Sequence, residues 1–168
     1  MGDLYYELLV KKNQTFKEKL TKFGVITLVV ILGLGGLVLS PIFLIAAMIL
    51  GFVAFYFILP STDLEFEYLF VNGEMDIDKV MSKTKRKKVK SFSIKDAEIV
   101  ASMKSHRLDH YKNNQKMKTL DFSSGDPEHY RLGVIARDGG EACMIIIEPD
   151  EKLANQIKYC APSKVFLD

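Results

Sequence analysis

The residues best placed to do chemistry form one run of positive charge near the middle of the chain. The run consists of Lys83, Lys85, Arg86, Lys87, Lys88 and Lys90. Anionic headgroups attract each nearby basic residue by about 1 kcal/mol, so this run predicts contact with a membrane surface. Two other interpretations stay open: a solvated loop between strands, and a nucleic-acid contact. In the solvated loop, the screening acids would be Glu65, Glu67, Asp76 and Asp78.

A second group of residues has the types of a metal site without its full spacing. His106 and His110 are four residues apart, which on a helix puts both on one face, and Asp109 lies beside them. No glutamate follows His106 as in H-E-x-x-H, and a third ligand such as His129 would have to come from a distance. We therefore predict no bound metal. A metal-dependent hydrolase using His106, His110 and Asp109 remains the least favoured hypothesis.

Other catalytic motifs are missing from the sequence. Cys143 lies in an apolar run, which raises the pKa of a thiol and hides it from substrate. Ser124 lies in no G-x-S-x-G context, and Gly139-Gly140 is a turn rather than a phosphate-binding glycine loop. No Walker, Rossmann or kinase pattern is present. We expect no catalytic residue, no cofactor and no enzymatic activity.

The element that must position these residues is an uncharged block, residues 23–62, with no Asp, Glu, Lys or Arg. A helix needs roughly 20 apolar residues to cross a bilayer, so the block predicts a transmembrane hairpin. Its arms would run from about Leu20 to Leu39 and from Pro41 to Leu59, with Ser40 as the N-cap of the second. The alternative is one true span, with the other half lying in the interface or against a partner. Small residues would let the arms pack closely: Gly33, Gly36, Ala47 and Gly51.

Residues 1–22 precede this block and are rich in lysine. Apolar residues at roughly helical spacing predict an interfacial helix, with a plain charged flank as the alternative. Those apolar residues are Leu4, Leu8, Phe16, Leu20 and Phe23. Positive charge on both sides of the block and an uncharged connection between its arms place both termini in the cytoplasm. We thus expect a multi-pass protein of the cell membrane. Two cysteines without metal-ligand spacing, Cys143 and Cys160, agree with a reducing compartment.

Residues 63–168 predict one small domain of strands followed by a helix. Alternating apolar residues give strands at Leu64 to Phe70 and Glu74 to Met81, joined by an Asn72-Gly73 hairpin turn. Five further strands are expected at 88–94, 98–103, 118–122, 130–137 and 141–147, the last apolar on both faces and therefore central. A helix begins near Pro149-Asp150-Glu151 and stops before Pro162. The fold class is a membrane helical hairpin plus an α+β domain, a bent antiparallel sheet capped by the C-terminal helix.

Three segments carry a resemblance to a known family: FEYLFVNGEMDIDKV from Phe66, KTKRKKVKSFSI from Lys83 and IEPDEKLANQIKYCAPSKVF from Ile147. In this order the chain resembles an uncharacterised Gram-positive membrane-protein family with two N-terminal spans and a small pleckstrin-homology-like (PH-like) cytoplasmic domain. The resemblance implies architecture and carries over no active site. Residues 102–116 fit the strand pattern poorly and are expected to be an inserted loop.

Three hypotheses follow from this architecture. The first is a membrane-anchored, non-catalytic interaction module that binds a protein partner, a second copy or anionic lipid. The second is an accessory subunit whose hairpin packs in a larger membrane complex. The third is the hydrolase above. Eighteen basic and eighteen acidic residues balance in 63–168, which argues against a nucleic-acid partner.

Overall fold

The computed structural model describes residues 5–83, 85–138 and 140–167, so Leu4 and Gly139 of the sequence interpretation lie outside the described residues. The chain forms two compact units. The first comprises Met1–Asn13, Glu65–Val80 and Arg86–Asp168. The second comprises Gln14–Leu64 and Met81–Lys85. The uncharged block is thus an insertion between strands of one domain, and residues 5–13, which precede the block, belong to that domain.

The second unit is a pair of helical arms. The first arm is α1 (Phe16–Val38), which begins four residues before the predicted start. The second arm is a continuous helical stretch that begins at Ile42, one residue later than expected. It consists of α2 (Ile42–Val53), a π-helical turn (Ala54–Ile58) and α3 (Leu59–Thr62).

Length and composition distinguish the two arms. α1 is long and apolar enough to cross a membrane, which indicates membrane association, whereas the apolar helix Ile42–Ile58 is shorter. The arms meet closely near their connection, because a Cβ atom on Gly36 would lie 2.5 Å from Leu44 Cγ. Of the predicted small residues, Gly36 and Ala47 are buried.

The first sheet contains β1 (Tyr5–Lys11), β2 (Leu64–Val71), β3 (Glu74–Met81) and β4 (Lys85–Ser93), in that spatial order. Asn72 and Gly73 have φ angles of 52° and 99°, which confirms the predicted hairpin turn. β4 begins three residues before the predicted strand and includes most of the basic run.

The interfacial-helix interpretation of residues 1–22 is wrong for Tyr5–Lys11, which pair antiparallel with β2. Tyr6, Leu8 and Val10 alternate with exposed residues and pack against the core. A period of two gives a strand one apolar face, and pairing with β2 then satisfies its backbone. The helical spacing seen in the sequence joined residues from two different elements, β1 and α1.

The second sheet has the order β6-β8-β7-β5-β9. Its strands are β5 (Ile99–Ser102), β6 (Lys118–Asp121), β7 (Leu132–Asp138), β8 (Glu141–Ile147) and β9 (Val165–Phe166). β7 is antiparallel to β5 and β8, whereas the edge pairs β6 with β8 and β5 with β9 are parallel. The expected strands are present, while β9 and the parallel edges were not foreseen.

Both faces of β8 are buried, as predicted for a central strand. Cys143, Ile145 and Ile147 join the main core, which contains residues of both sheets and of α5 (Glu151–Cys160). Met144 and Ile146 face a second cluster around Leu108. A 3₁₀ turn (His106–Leu108) and α4 (Asp109–Lys112) lie within residues 102–116, so this segment is a covering element rather than an irregular loop.

Candidate interaction surface of the basic strand

The basic run begins where the chain returns to the end of the helical arms. The amide of Ser82 donates a 2.9 Å hydrogen bond to the carbonyl of Asp63, the residue that follows α3. Ser82 and Lys83 form the turn before β4 with φ angles of 47° and 57°. Two eight-residue strands, β2 and β3, separate these points along the chain. Because β2 and β3 have the same length, the β2–β3 hairpin returns the chain to its starting point. Lys83 therefore lies close to Asp63, where the helical stretch ends.

The six basic residues divide into two groups. Arg86 Nη2 lies 2.7 Å from Glu67 Oε1, and Lys88 Nζ lies 2.6 Å from Asp76 Oδ2. These acids are two of the predicted screening partners. Lys90 is half-buried and also has an interaction within the chain. Three lysines are exposed and their ammonium groups form no ion pair with the described residues: Lys83, Lys85 and Lys87.

The two acids that neutralise the strand differ in their electrostatics. Hydrogen bonds from Lys88 and Ser91 hold the pKa of Asp76 below its usual value. Burial raises the pKa of Glu67, the contact with Glu7 raises it further, and Arg86 opposes both effects. Glu67 is 2% exposed, and its Oε2 atom is buried without a hydrogen-bond partner in the described chain. The ion pair of Arg86 is therefore formed with the Glu67 carboxylate, whose charged form is disfavoured by burial.

Positive charge collects at one end of the helical unit. α1 and α3 are in contact, so the start of the first arm and the end of the second arm lie together. That end carries Lys17, Lys19 and Lys22 in α1, with Glu18 among them, together with Lys83 and Lys85. The connection between the arms, residues 39–41, has no charge. In the described residues, positive charge therefore lies at the end of the unit where α1 begins and α3 ends.

β4 is also the edge of its sheet in the described part of the chain. Lysines on an edge strand discourage pairing with the edge of another molecule. This gives the basic run a second physical role that needs no ligand. The contacts of Glu67 and Asp76 support the solvated-strand interpretation, whereas Lys83, Lys85 and Lys87 each remain exposed.

The structure shows contacts within the protein for the residues of the predicted histidine site, His106, His110 and Asp109. His106 Nδ1 lies 3.0 Å from Asp109 Oδ2, and this contact, followed by that of Lys112, lowers the pKa of Asp109. His110 packs its ring edge-on against Tyr111. Within the described residues no group of three His, Cys, Asp or Glu side chains could hold a metal ion. His106, His110 and Asp109 belong to the short helical segment whose Leu108 packs into the second hydrophobic cluster.

His129 belongs to a different polar cluster, which sequence reasoning missed. Its Nδ1 lies 2.7 Å from Glu148 Oε1 and 3.3 Å from Ser124 Oγ. A Ser-His-acid triad uses opposite nitrogens of the ring, whereas here one nitrogen faces both partners. The amide of Ser124 also donates to Glu148 Oε2 at 2.9 Å. No motif links residues 124, 129 and 148, so only the fold could bring them together.

This cluster borders a groove of about 540 Å³ along β1. Four consecutive β1 residues, Leu8 to Lys11, line the groove, so the edge of the strand faces it rather than one side-chain face. β1 is the second edge of the first sheet among the described residues.

Cys143, which the sequence analysis considered as a nucleophile, is buried in β8 and forms no disulfide. Its burial confirms the predicted place of this cysteine in the core.

Comparison with known proteins identifies a family. A family model described as "Bacterial PH-like domain (DUF6106)" matches residues 2–167. No curated protein and no solved structure matches the chain. The match begins before β1 and extends past β9, so the matched region contains the helical arms as well as both sheets. The resemblance to a PH-like domain, expected from Phe66, Lys83 and Ile147 onward, is confirmed.

Proposed function

Because the chain belongs to the bacterial PH-like domain family DUF6106, we propose that it is a membrane-anchored, non-catalytic interaction module whose exposed lysines contact anionic headgroups. A PH-like domain is typically non-catalytic, and this supports the non-catalytic part of the proposal. The helical arms anchor the protein, and the sheet domain is the part that meets a partner surface.

One observation carries the proposal: the hydrogen bond from the Ser82 amide to the Asp63 carbonyl. It places the turn at Lys83 beside the end of the second arm, within one compact unit. If that arm ends at the membrane surface, Lys83 and Lys85 lie at headgroup level. Each such charge contributes about 1 kcal/mol of attraction to an anionic leaflet.

The same geometry supports a two-pass anchor with both termini in the cytoplasm. The second arm continues through the π-helical turn and α3 to Thr62, which adds length to the apolar helix Ile42–Ile58. Lysines stand at the shared end of the arms and none at the connection. Positively charged ends stay on the cytoplasmic side, so the connection is the part that crosses.

Lipid contact is tested with the full chain in mixed liposomes of phosphatidylcholine and phosphatidylglycerol. After mild-detergent extraction, mass spectrometry measures the phosphatidylglycerol that co-purifies. The triple variant Lys83→Gln, Lys85→Gln, Lys87→Gln should retain several-fold less of this lipid, and the difference should shrink as salt rises. The matched control removes the same charge from exposed lysines elsewhere: Lys116→Gln, Lys118→Gln and Lys152→Gln. Equal losses in the two triple variants would reject a specific surface.

Topology is tested separately with a reporter fused to each terminus. A two-pass anchor puts both reporters in the cytoplasm, whereas a single pass through α1 puts them on opposite sides. A reporter outside the cell at either end would reject the proposed arrangement. The topology result does not depend on the amount of lipid that co-purifies. The two-pass anchor and the headgroup contact can therefore be rejected separately.

A further inference from the structure

A pocket of about 410 Å³ opens between the segment that follows β5 and the residues that precede β7. Its walls carry three cationic side chains, Lys104, Lys112 and Arg131, and a single acid, Glu128. The volume is within the range of small-molecule sites. The pocket therefore combines a cavity large enough for a small ligand with an excess of positive charge.

Arg131 is the most informative wall residue. Its Nε atom is buried and has no hydrogen-bond partner in the described chain. A buried N–H without an acceptor is costly, and in folded proteins such a group normally has a protein, water or ion partner. The position of the residue is well fixed, because its carbonyl accepts a 2.9 Å hydrogen bond from the Met103 amide and β7 begins at the next residue.

The other polar residues that line the same pocket differ in how far their donors are already used. Lys104 is exposed, and its ammonium group forms no ion pair with the described residues. Ser102 is buried and its Oγ accepts the Lys104 amide at 3.3 Å, which leaves its own hydroxyl proton for donation. Lys112 is partly neutralised by Asp109 at 3.3 Å. His129 is held by Glu148, and the Tyr130 hydroxyl donates to the Leu167 carbonyl.

We propose that this pocket binds the phosphate of a phosphomonoester, with Arg131 and Lys104 as its principal ligands. A phosphomonoester carries close to two negative charges at neutral pH, which matches the two cations, Arg131 and Lys104, that have no acidic partner among the described residues. The planar guanidinium of arginine suits two phosphate oxygens at once, and lysine supplies a point charge. This site is separate from the β4 lysines and does not depend on the function proposed for them.

The ligand could be a free phosphorylated metabolite or the phosphomonoester headgroup of a lipid. Both present the same terminal phosphate to Arg131, so the pocket chemistry is shared. Phosphatidylglycerol, whose phosphate is a diester with one charge, fits less well. A carboxylate such as acetate has one charge and two oxygens, and we expect it to bind more weakly.

The test uses the full chain in phosphatidylcholine nanodiscs, titrated with inorganic phosphate and with glycerol 3-phosphate by calorimetry. Both should bind saturably, and acetate should bind more weakly than either. Arg131→Gln should weaken phosphate binding about tenfold or more, as expected when a charge-assisted hydrogen bond is lost. Lys104→Gln should act in the same direction, and because its side chain is exposed this variant should fold as the wild type does. Lys116→Gln, an exposed lysine outside the pocket, should leave binding unchanged.

Two further measurements separate the alternatives. The variant Lys85→Gln, Lys87→Gln should bind phosphate as wild type does, whereas a tenfold loss there would assign the binding to β4 and overturn the pocket. Phosphatidic acid added to the nanodiscs should compete with inorganic phosphate if the natural source is a lipid, and should not if it is a soluble metabolite. Absence of saturable binding by the wild type, or full binding by both Arg131→Gln and Lys104→Gln, would overturn the proposal.

Discussion

The hydroxyl of Tyr6 donates a hydrogen bond to the carboxylate of Asp150, 144 residues further along the chain. Asp150 is also the N-cap of α5, since its Oδ1 accepts the Leu153 amide at 2.8 Å. The hydrogen bond to Asp150, together with burial, raises the pKa of Tyr6. One carboxylate thus joins the strand that precedes the helical arms to the helix that ends the domain.

We predict that Tyr6→Phe lowers the free energy of unfolding by about 1 kcal/mol, because it removes one hydrogen bond and leaves the ring in place. Asp150→Ala should cost more, since it also removes the helix cap, which contributes about 1 kcal/mol by itself. Asp150→Asn keeps a capping oxygen and should lie between them. Reversible chemical unfolding of the purified chain in detergent provides the measurement. Additive losses in the Tyr6→Phe, Asp150→Ala double variant would show that the pair is not coupled.

The pairing of Lys11 with Glu65 predicts that the helical arms can be excised. These residues are cross-strand partners at the end of the β1–β2 ladder. Replacing residues 12–64 by Asn-Gly should give a water-soluble domain, because this dipeptide forms the two-residue turn that an antiparallel pair needs. Cooperative thermal unfolding and dispersed amide resonances would confirm it. A fragment of residues 63–168 is the control: without β1 it leaves one edge of β2 unpaired and should aggregate.

The sequence predicted elements whose pattern is local and failed where two distant segments combine. β3 and β8 were placed correctly because alternation and the flanking turns lie within each segment. β1 was missed because seven residues in front of an apolar block look like a membrane flank until β2 is available to pair with them. β9 has two residues and no pattern of its own.

The candidate surface shows the same limit. Charge density located the basic run and two of its partner acids, Glu67 and Asp76, but alternation alone could not say which lysines stay exposed. The phosphate pocket was not foreseen at all. Arg131 and Lys104 are 27 positions apart in the sequence and meet only because β5 pairs with β7.

Glu67 gives a prediction about pH. Its pKa is raised in the folded state, so the folded protein holds this proton more tightly than the unfolded chain does. The contribution of Glu67 to the free energy of unfolding is therefore fully present below its pKa in the unfolded chain, about 4.3. This contribution is lost as pH rises through the higher pKa of Glu67 in the folded protein. Asp76 has a lowered pKa, and its contribution is lost only as pH falls through that lower value. The two effects act in separate pH ranges.

We expect Glu67→Gln to raise the free energy of unfolding by about 1 kcal/mol near neutral pH, because an amide replaces a buried carboxylate oxygen that has no donor among the described residues. The amide can still accept from Arg86 and can donate to Glu7. Denaturant unfolding at a series of pH values should show that the variant lacks the decline above the unfolded pKa. Glu74→Gln is the matched control, because Glu74 is an exposed acid on the partner strand β3. A variant less stable than wild type at neutral pH would show that the ion pair with Arg86 outweighs the burial of Glu67.

Gly36 and Gly35 offer a matched pair for testing the packing of the helical arms. A Cβ on Gly36 would lie 2.5 Å from Leu44 Cγ and 2.7 Å from the Leu44 amide nitrogen. A Cβ on Gly35 would have no described atom within 4 Å apart from its chain neighbours and the backbone of its own helix. Because a backbone atom cannot move aside by changing rotamer, Gly36→Ala should destabilise the paired arms by about 1–3 kcal/mol. Gly35→Ala should leave them unchanged or gain up to about 1 kcal/mol from helix propensity.

The readout is a disulfide between cysteines placed at Val29 and Gly51, where a Cβ on Gly51 would lie 3.8 Å from Val29 Cγ1. Cys143 and Cys160 are first changed to serine so that only the engineered pair can oxidise. The rate of disulfide formation in membranes should fall severalfold in Gly36→Ala and stay at the reference value in Gly35→Ala. Equal rates in the two variants would mean that the close approach at Leu44 does not hold the arms together. The pairing would then depend on contacts further along the helices.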